Sequence, residues 1–276
     1  MIQPIINPIS EKTLLAVAKN MPQSLLISGN FGVGLGTISK YLASLRKATM
    51  TVVLPEKDEK IDLDKGTISV EIMRRLYNET RTKTAGERII IIDYAERMTT
   101  QAQNAFLKLL EEPGIGIYFF LVSHSVEKLL PTILSRTEKL EILPITASQS
   151  EEFIDKLNVT DKVKRSQLMF MAEGLPAELS RLIADGKYFT NRSELIRDAR
   201  ELIVGSNYKK LLIAQKYKDN RSDSLILLLS MAKILKRSII DNPKPETIAK
   251  IDVILDAYGQ IEANGNIRLC LARMIL

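Results

Sequence analysis

The chain has 276 residues, 45% of them hydrophobic and 26% charged, with a formal net charge of +6. That length predicts two or three domains, and the composition is that of a globular protein with a sizeable core, which excludes disordered and fibrous classes. One cysteine, Cys270, and one histidine, His124, exclude an internal disulfide and a soft-ligand zinc site, so no metal is expected.

The mild positive charge suits transient contact with nucleic acid. The longest uncharged apolar stretches, 115–126 and 224–232, are shorter than the ~18–20 residues a bilayer span needs, so no membrane partner is expected. The opening segment MIQPIINPISEK shows no basic region followed by an apolar run and a cleavage site, which leads to an expected cytoplasmic location.

In chain order, short apolar runs predict strands at 24–28, 51–54, 88–93, 117–123 and 139–142. Runs with so little polar alternation are those of strands covered on both faces, as in a parallel α/β sheet. Between them, apolar residues at three- and four-residue spacing predict crossover helices at 38–45, 70–79, 100–111 and 126–134. After Pro144 the pattern is helical throughout. Three short helices are predicted at 148–157, 161–172 and 176–185, with Thr146 or Ser148 and Thr160 as N-caps and Gly174 as a stop. Longer ones follow at 192–204, 209–218, 222–238 and 244–276. The expected domains are therefore 1–143, α/β; 144–187, a three-helix bundle; and 188–276, all helical.

Immediately after the first predicted strand stands Gly29-Asn30-Phe31-Gly32-Val33-Gly34-Leu35-Gly36-Thr37, leading into a helix. This is the frame of a phosphate-binding loop, whose glycines let backbone N–H groups face a phosphate at a helix N-terminus. Leu35 stands where the phosphate-reaching lysine belongs, and Gly36 where the Mg²⁺-ligating Ser or Thr belongs. The predicted strand ending at Asp93 supplies the acid such a site uses for Mg²⁺, but Tyr94 occupies the place of the water-polarising glutamate. With three needed groups absent together, the loop is expected to be degenerate and to hold no tightly bound nucleotide. His124 and Cys270 are expected to serve packing.

From Ile89 the chain reads IIIIDYAERMTTQAQNAFLKLLEEPGIGIYFFLVSHSVEKLLPTILSRTEKLEILP. The segments Met98–Lys108, Leu110–Pro113 and Pro131–Thr137 resemble the bacterial DNA polymerase III clamp-loader family, AAA+ proteins of the delta-prime and gamma/tau types. Residues 66–76 resemble the segment before that family's second nucleotide motif, and residues 263–269 the last helix of its collar domain. The resemblance implies an AAA+ phosphate-loop domain with a parallel sheet, a small helical lid and a helical collar that mediates oligomerisation. Two departures stand out. Thr137 replaces the usual cysteine of the Ser-Arg-Cys motif, and a four-cysteine zinc insertion is missing.

The lost phosphate loop with a retained Ser135-Arg136 fits the delta-prime type. The resemblance then implies a stator subunit without ATPase activity, part of a DNA-directed DNA polymerase holoenzyme. Arg136, flanked by Ser135, would act as an arginine finger in trans on Mg·ATP in a neighbouring subunit's site. It implies as partners the gamma/tau and delta subunits and, through the assembly, the sliding clamp and primer-template DNA. The alternatives are an ATPase motor of the gamma/tau type and the clamp-opening delta subunit. Gln103, Asn104 and Lys108 share one helix, Asn104 and Lys108 one turn apart, and are implied to couple neighbouring subunits. Arg81, Lys83 and Arg97 are the basic candidates for DNA backbone contact.

Overall fold

A computed structural model describes residues 3–46, 48–63, 65–80, 86–241 and 244–275. The chain forms two compact units, Met1–Ile183 and Ala184–Leu276.

The first unit is built on a five-stranded, wholly parallel sheet of β1 (Ser24–Gly29), β2 (Thr49–Val53), β5 (Arg88–Ile92), β6 (Ile117–Ser123) and β7 (Glu138–Ile142), in the order β2-β5-β6-β1-β7. Successive side chains of a strand point to opposite faces. Leu25, Ile27, Ile89, Ile91, Phe120 and Val122 accordingly enter one core, with α1 (Pro8–Lys19) and α2 (Leu35–Leu45). Leu26, Ile90, Ile92, Phe119 and Leu121 enter the other, with α3 (Val70–Thr80) and α4 (Thr100–Glu111). Two buried faces explain why the inner strands β1, β5 and β6 read as unbroken apolar runs, while the edge strands β2 and β7 stay partly exposed. A two-stranded hairpin, β3 (Glu56–Lys57) and β4 (Lys60–Ile61), was not expected from the sequence. Its turn residues Asp58 and Glu59 take positive φ.

α1 was also not expected. Asn7 caps it, accepting from the Ile9 N–H, and Pro8 fills the first helical position. The Asn7 amide donates to the Pro144 carbonyl, and the Ser10 hydroxyl donates to Glu141 O and accepts from Leu143 N, which fastens α1 along β7.

The predicted helix at 126–134 is instead a 3-10 turn, Val126–Lys128, followed by the four-residue α5 (Pro131–Leu134). Pro131 has no N–H to donate and forces Leu130 into extended backbone, so a continuous helix is impossible.

Three helices complete the first unit: α6 (Ala147–Lys156), α7 (Lys162–Ala172) and α8 (Pro176–Ala184). Thr146 and Gln149 form a capping box on α6. α7 is capped by Asp161, which accepts from the Val163 and Lys164 N–H groups, rather than by Thr160. Glu173 and Gly174, both at positive φ, end it.

In the second unit, α9 (Gly186–Val204), α10 (Asn207–Tyr217), α11 (Arg221–Asp241), α12 (Pro245–Glu262) and α13 (Ile267–Ile275) enclose one apolar core that includes Leu227, Leu228, Ile261 and Leu271. The single helix expected over 244–276 is broken at Asn264, which takes the left-handed conformation, and Gly265. Cys270 is buried in this core.

Candidate functional site

The C-terminal ends of β1, β5 and β6 lie side by side, the edge at which open parallel sheets bind ligands. β1 ends in Gly29 and the glycine loop, which passes into α2 through Gly34 at φ 89°. β5 delivers Asp93 and Tyr94, and β6 delivers His124. The fold thus brings together all of the expected phosphate-loop residues.

Their side chains differ from what a phosphate needs. Leu35 is 1% exposed and belongs to the core cluster with Val33 and Ile38. It folds back along the loop so closely that a Cβ on Gly29 would lie 3.3 Å from its Cδ2. A Cβ on Gly36 would lie 3.0 Å from Oδ2 of Asp93, so a Ser or Thr there would stand beside that carboxylate, but Gly36 brings no oxygen of its own. Asp93 Oδ1 accepts from the Tyr94 N–H at 3.0 Å. Burial pushes the Asp93 carboxyl above the ordinary range, opposed by that N–H and by nearby His124 and Lys40. Thr37 is exposed, with its N–H on Gly34 O.

Two features of this edge escaped the sequence reading. The first is an aromatic row. The Phe31 and His124 rings meet edge-on at 5.1 Å, those of Tyr94 and His124 at 5.8 Å, and the His124 Nδ1 lies 3.2 Å from Gly29 O. The Arg97 guanidinium stacks on Tyr94 at 5.3 Å and donates to Gly66 O, so this expected DNA-contact residue is engaged within the chain. Tyr94 itself sits at φ 56°, ψ 47°, a left-handed conformation that costs a non-glycine residue about 1–2 kcal/mol.

The second feature is the docking of α8 on the loop. The Ala177 N–H donates to Gly32 O at 3.0 Å, and Leu175 packs into the same core cluster as Leu35. A helix start that could offer its N–H groups to an anion is instead bonded to the loop. Leucine at 35, no hydroxyl at 36 and a loop carbonyl tied to α8 together do not fit Mg·nucleotide.

The segment carrying Ser135 and Arg136 lies elsewhere, just after α5. Both residues are exposed. The Ser135 hydroxyl donates to Thr132 O at 3.1 Å, and Thr137 Oγ1 donates to Ile133 O at 3.2 Å, so threonine at 137 serves the local turn. Arg136 donates through Nη2 to Glu111 Oε1 at 2.8 Å and through Nη1 to Thr132 O at 3.1 Å.

α4 connects this segment to the sheet. Asn104 and Lys108 are exposed on one face, but Gln103 is 4% exposed and points inward. Its Nε2 donates to Met98 O at 3.2 Å and Lys128 O at 3.1 Å, and its Oε1 accepts from Leu130 N–H at 2.7 Å. Leu130 caps α5, so one buried amide fixes the base of the turn that displays Arg136. Arg81 and Lys83 lie outside the described residues. Among the described residues, no group of His, Cys, Asp and Glu side chains could hold a metal ion, and no helix is long and apolar enough to cross a membrane.

Residues 12–146 match the family model described as DNA polymerase III, delta subunit. The DNA polymerase III subunit delta' of Pseudomonas aeruginosa is 30% identical over 167 residues, 59% of this chain and 46% of that protein. The corresponding protein of Yersinia pestis is 29% identical over 187 residues, 65% of this chain and 53% of its own. The chain thus spans about half the length of these relatives. Among solved structures, a gamma subunit-related protein of DNA polymerase III from Thermotoga maritima superposes with a TM-score of 0.54 at 19% identity, covering 96% of this chain and 97% of that one. That likeness is one of fold, a parallel α/β sheet followed by helices.

Proposed function

Through residues 12–146 the chain belongs to the delta-prime type of the bacterial DNA polymerase III clamp-loader family, and from that premise we propose that it is a clamp-loader subunit that does not itself hydrolyse ATP. It acts as a stator within the replicative holoenzyme in the cytoplasm. Its Arg136, with Ser135 shaping the turn, reaches the Mg·ATP held by a neighbouring gamma/tau-type subunit. There the guanidinium offsets charge developing on the transferred phosphoryl group. Gamma/tau and delta subunits are its direct partners, and the sliding clamp and primed DNA are met through the assembly. Helices α6–α8 serve as the lid and α9–α13 as the collar. Val204, Tyr208, Leu211, Leu212 and Leu269, all exposed and apolar, favour an oligomerisation role for the collar.

The observation that carries this reading is the pairing of an exposed Arg136 with a phosphate loop whose lysine position is a buried leucine. Leu35, Gly36 and Tyr94 count against the motor alternative, and the intact Ser135-Arg136 counts against the delta alternative. The test is steady-state ATPase and clamp loading on primed DNA by the loader assembled with wild-type chain, Arg136→Ala or Arg136→Lys. A finger in trans is worth about 10³–10⁵ in rate at the site it touches. With several sites per loader, total turnover should fall by a fraction and loading should fall further. Lysine should rescue poorly, because a point charge lacks the planar fork. Equal loading by all three proteins would reject the proposal.

A further inference from the structure

Arg136 is held at the surface by two parts of its own chain. Thr132 O, one turn earlier, takes Nη1 at 3.1 Å, and Glu111 Oε1, from the last residue of α4, takes Nη2 at 2.8 Å. The Arg136 and Glu111 side chains are 39% and 52% exposed. An ion pair this exposed contributes little to folding. α4 gains nothing from it either, since an acid in the last turn of a helix opposes the macrodipole. What the pair does accomplish is to restrict a long side chain that otherwise samples many rotamers.

Of the five N–H donors of a guanidinium, these two bonds use two. Nε has no partner among the described residues. The fork is therefore held at both terminal nitrogens while three N–H donors remain for incoming oxygens.

We propose that Glu111 is a positioning residue for Arg136. Its carboxylate fixes the guanidinium in the orientation that meets the phosphoryl oxygens of an ATP bound by a neighbouring subunit. This rests on the reading of Arg136 as a finger in trans. Because the neighbour binds the ATP, Glu111 should govern the rate at the occupied site rather than nucleotide affinity. Glutamine retains an acceptor oxygen at the same reach, so it should preserve most of the orientation.

The experiment uses the assembled loader and compares wild type, Glu111→Ala, Glu111→Gln, Arg136→Ala and the double Glu111→Ala/Arg136→Ala, measuring kcat and KM for ATP on primed DNA. Size-exclusion chromatography checks that assembly is unchanged. Glu111→Ala should lower kcat by about two- to five-fold, the scale of one exposed charge-assisted contact, and leave KM for ATP unchanged. Glu111→Gln should recover most of the loss. The double variant should be no slower than Arg136→Ala alone. If Arg136→Ala slows the loader while Glu111→Ala equals or exceeds wild type, the carboxylate is idle or withholds the finger, and this inference falls while the proposed function stands. A Glu111→Ala loss that persists undiminished without Arg136 also overturns it. If Arg136→Ala has no effect, the proposed function fails and the inference with it.

Discussion

Gln103 is where the displayed turn is tied to the sheet domain, and its loss can be sized from its three bonds. Gln103→Met keeps the length and much of the volume of the side chain but neither donates nor accepts as an amide does. Met98 O, Lys128 O and the Leu130 N–H then lose their partner. A buried polar group left without a partner costs about 1–3 kcal/mol. The bond to Met98 O is fully buried, and the other two lie where water has partial access. One full and two reduced penalties give a loss of about 3–4 kcal/mol, a large fraction of the ~5–15 kcal/mol that holds a typical domain together. Urea unfolding at 25 °C, followed by circular dichroism, should show the midpoint falling with little change in slope. Asn104→Ala, on the exposed face of the same helix, should stay within about 0.5 kcal/mol of wild type. A Gln103→Met loss under about 1 kcal/mol would refute the argument that this amide is the tie. In the assembled loader, ATP turnover should also fall in Gln103→Met although Arg136 is unaltered, because α5 begins at the residue the amide holds.

Restoring a lysine should not restore the nucleotide site. Leu35→Lys removes a fully buried apolar side chain, worth about 1.5–3 kcal/mol, and sends an ammonium toward an apolar cluster, so the chain should lose stability and calorimetric titration with Mg·ATP should give no heat below millimolar concentrations. A micromolar dissociation constant would show that the loop needs only the charge. Asp93→Asn should act in the opposite direction on stability. Because burial raises the Asp93 carboxyl in the folded chain, the folded state favours the protonated form. Stability is then fully present below the ordinary aspartate value near 4 and is lost as pH rises through the raised folded value. Asparagine, which still accepts from the Tyr94 N–H, should therefore be more stable than wild type at pH 7, and the advantage should vanish by about pH 3.5. Parallel unfolding curves at the two pH values check this, and an advantage that persists undiminished at the lower pH would refute the burial argument.

The central strands β1, β5 and β6 were legible because they are covered on both faces and read as apolar runs, whereas edge strand β7 shows only the alternation of a half-covered strand. The glycine loop and Asp93 were legible because strand, loop and helix follow one another directly. α1 was missed although Asn7-Pro8 is a cap followed by a first-turn proline, a signal present in the sequence and overlooked. The break at Asn264-Gly265 was likewise written in two residues that favour left-handed backbone. What the sequence carried no sign of is non-local. The bond from Ala177 to Gly32 joins residues 145 positions apart, the pair of Glu111 with Arg136 spans 25, and the inward turn of Gln103 depends on carbonyls from two other segments. No periodicity encodes contacts of this kind. A polar residue such as Gln103 among apolar neighbours reads as solvated until its partners are seen.

The glycine frame and the charged positions of the loop answer to different forces, which explains how one can be intact without the other. A Cβ at Gly29 would stand 2.5 Å from Ile142 O, a clash with the neighbouring strand that exists whether or not a phosphate is bound. Gly34 enters α2 at φ 89°, where any other residue is strained. Both glycines are required by the sheet and by the entry into the helix, so the fold alone accounts for them. A lysine at 35 has no such internal requirement. Without an anion to meet, its ammonium would face a cluster of leucine, valine and isoleucine, where leucine is the more stable occupant. The same holds at 36, where glycine passes close to Asp93 without needing a metal between them. With those positions apolar, the loop can lie under Leu175 and accept the Ala177 N–H, which joins α8 to the sheet edge. The arrangement thus keeps what the backbone needs and replaces what only a ligand would need. A phosphate-loop shape therefore needs no bound phosphate to account for it.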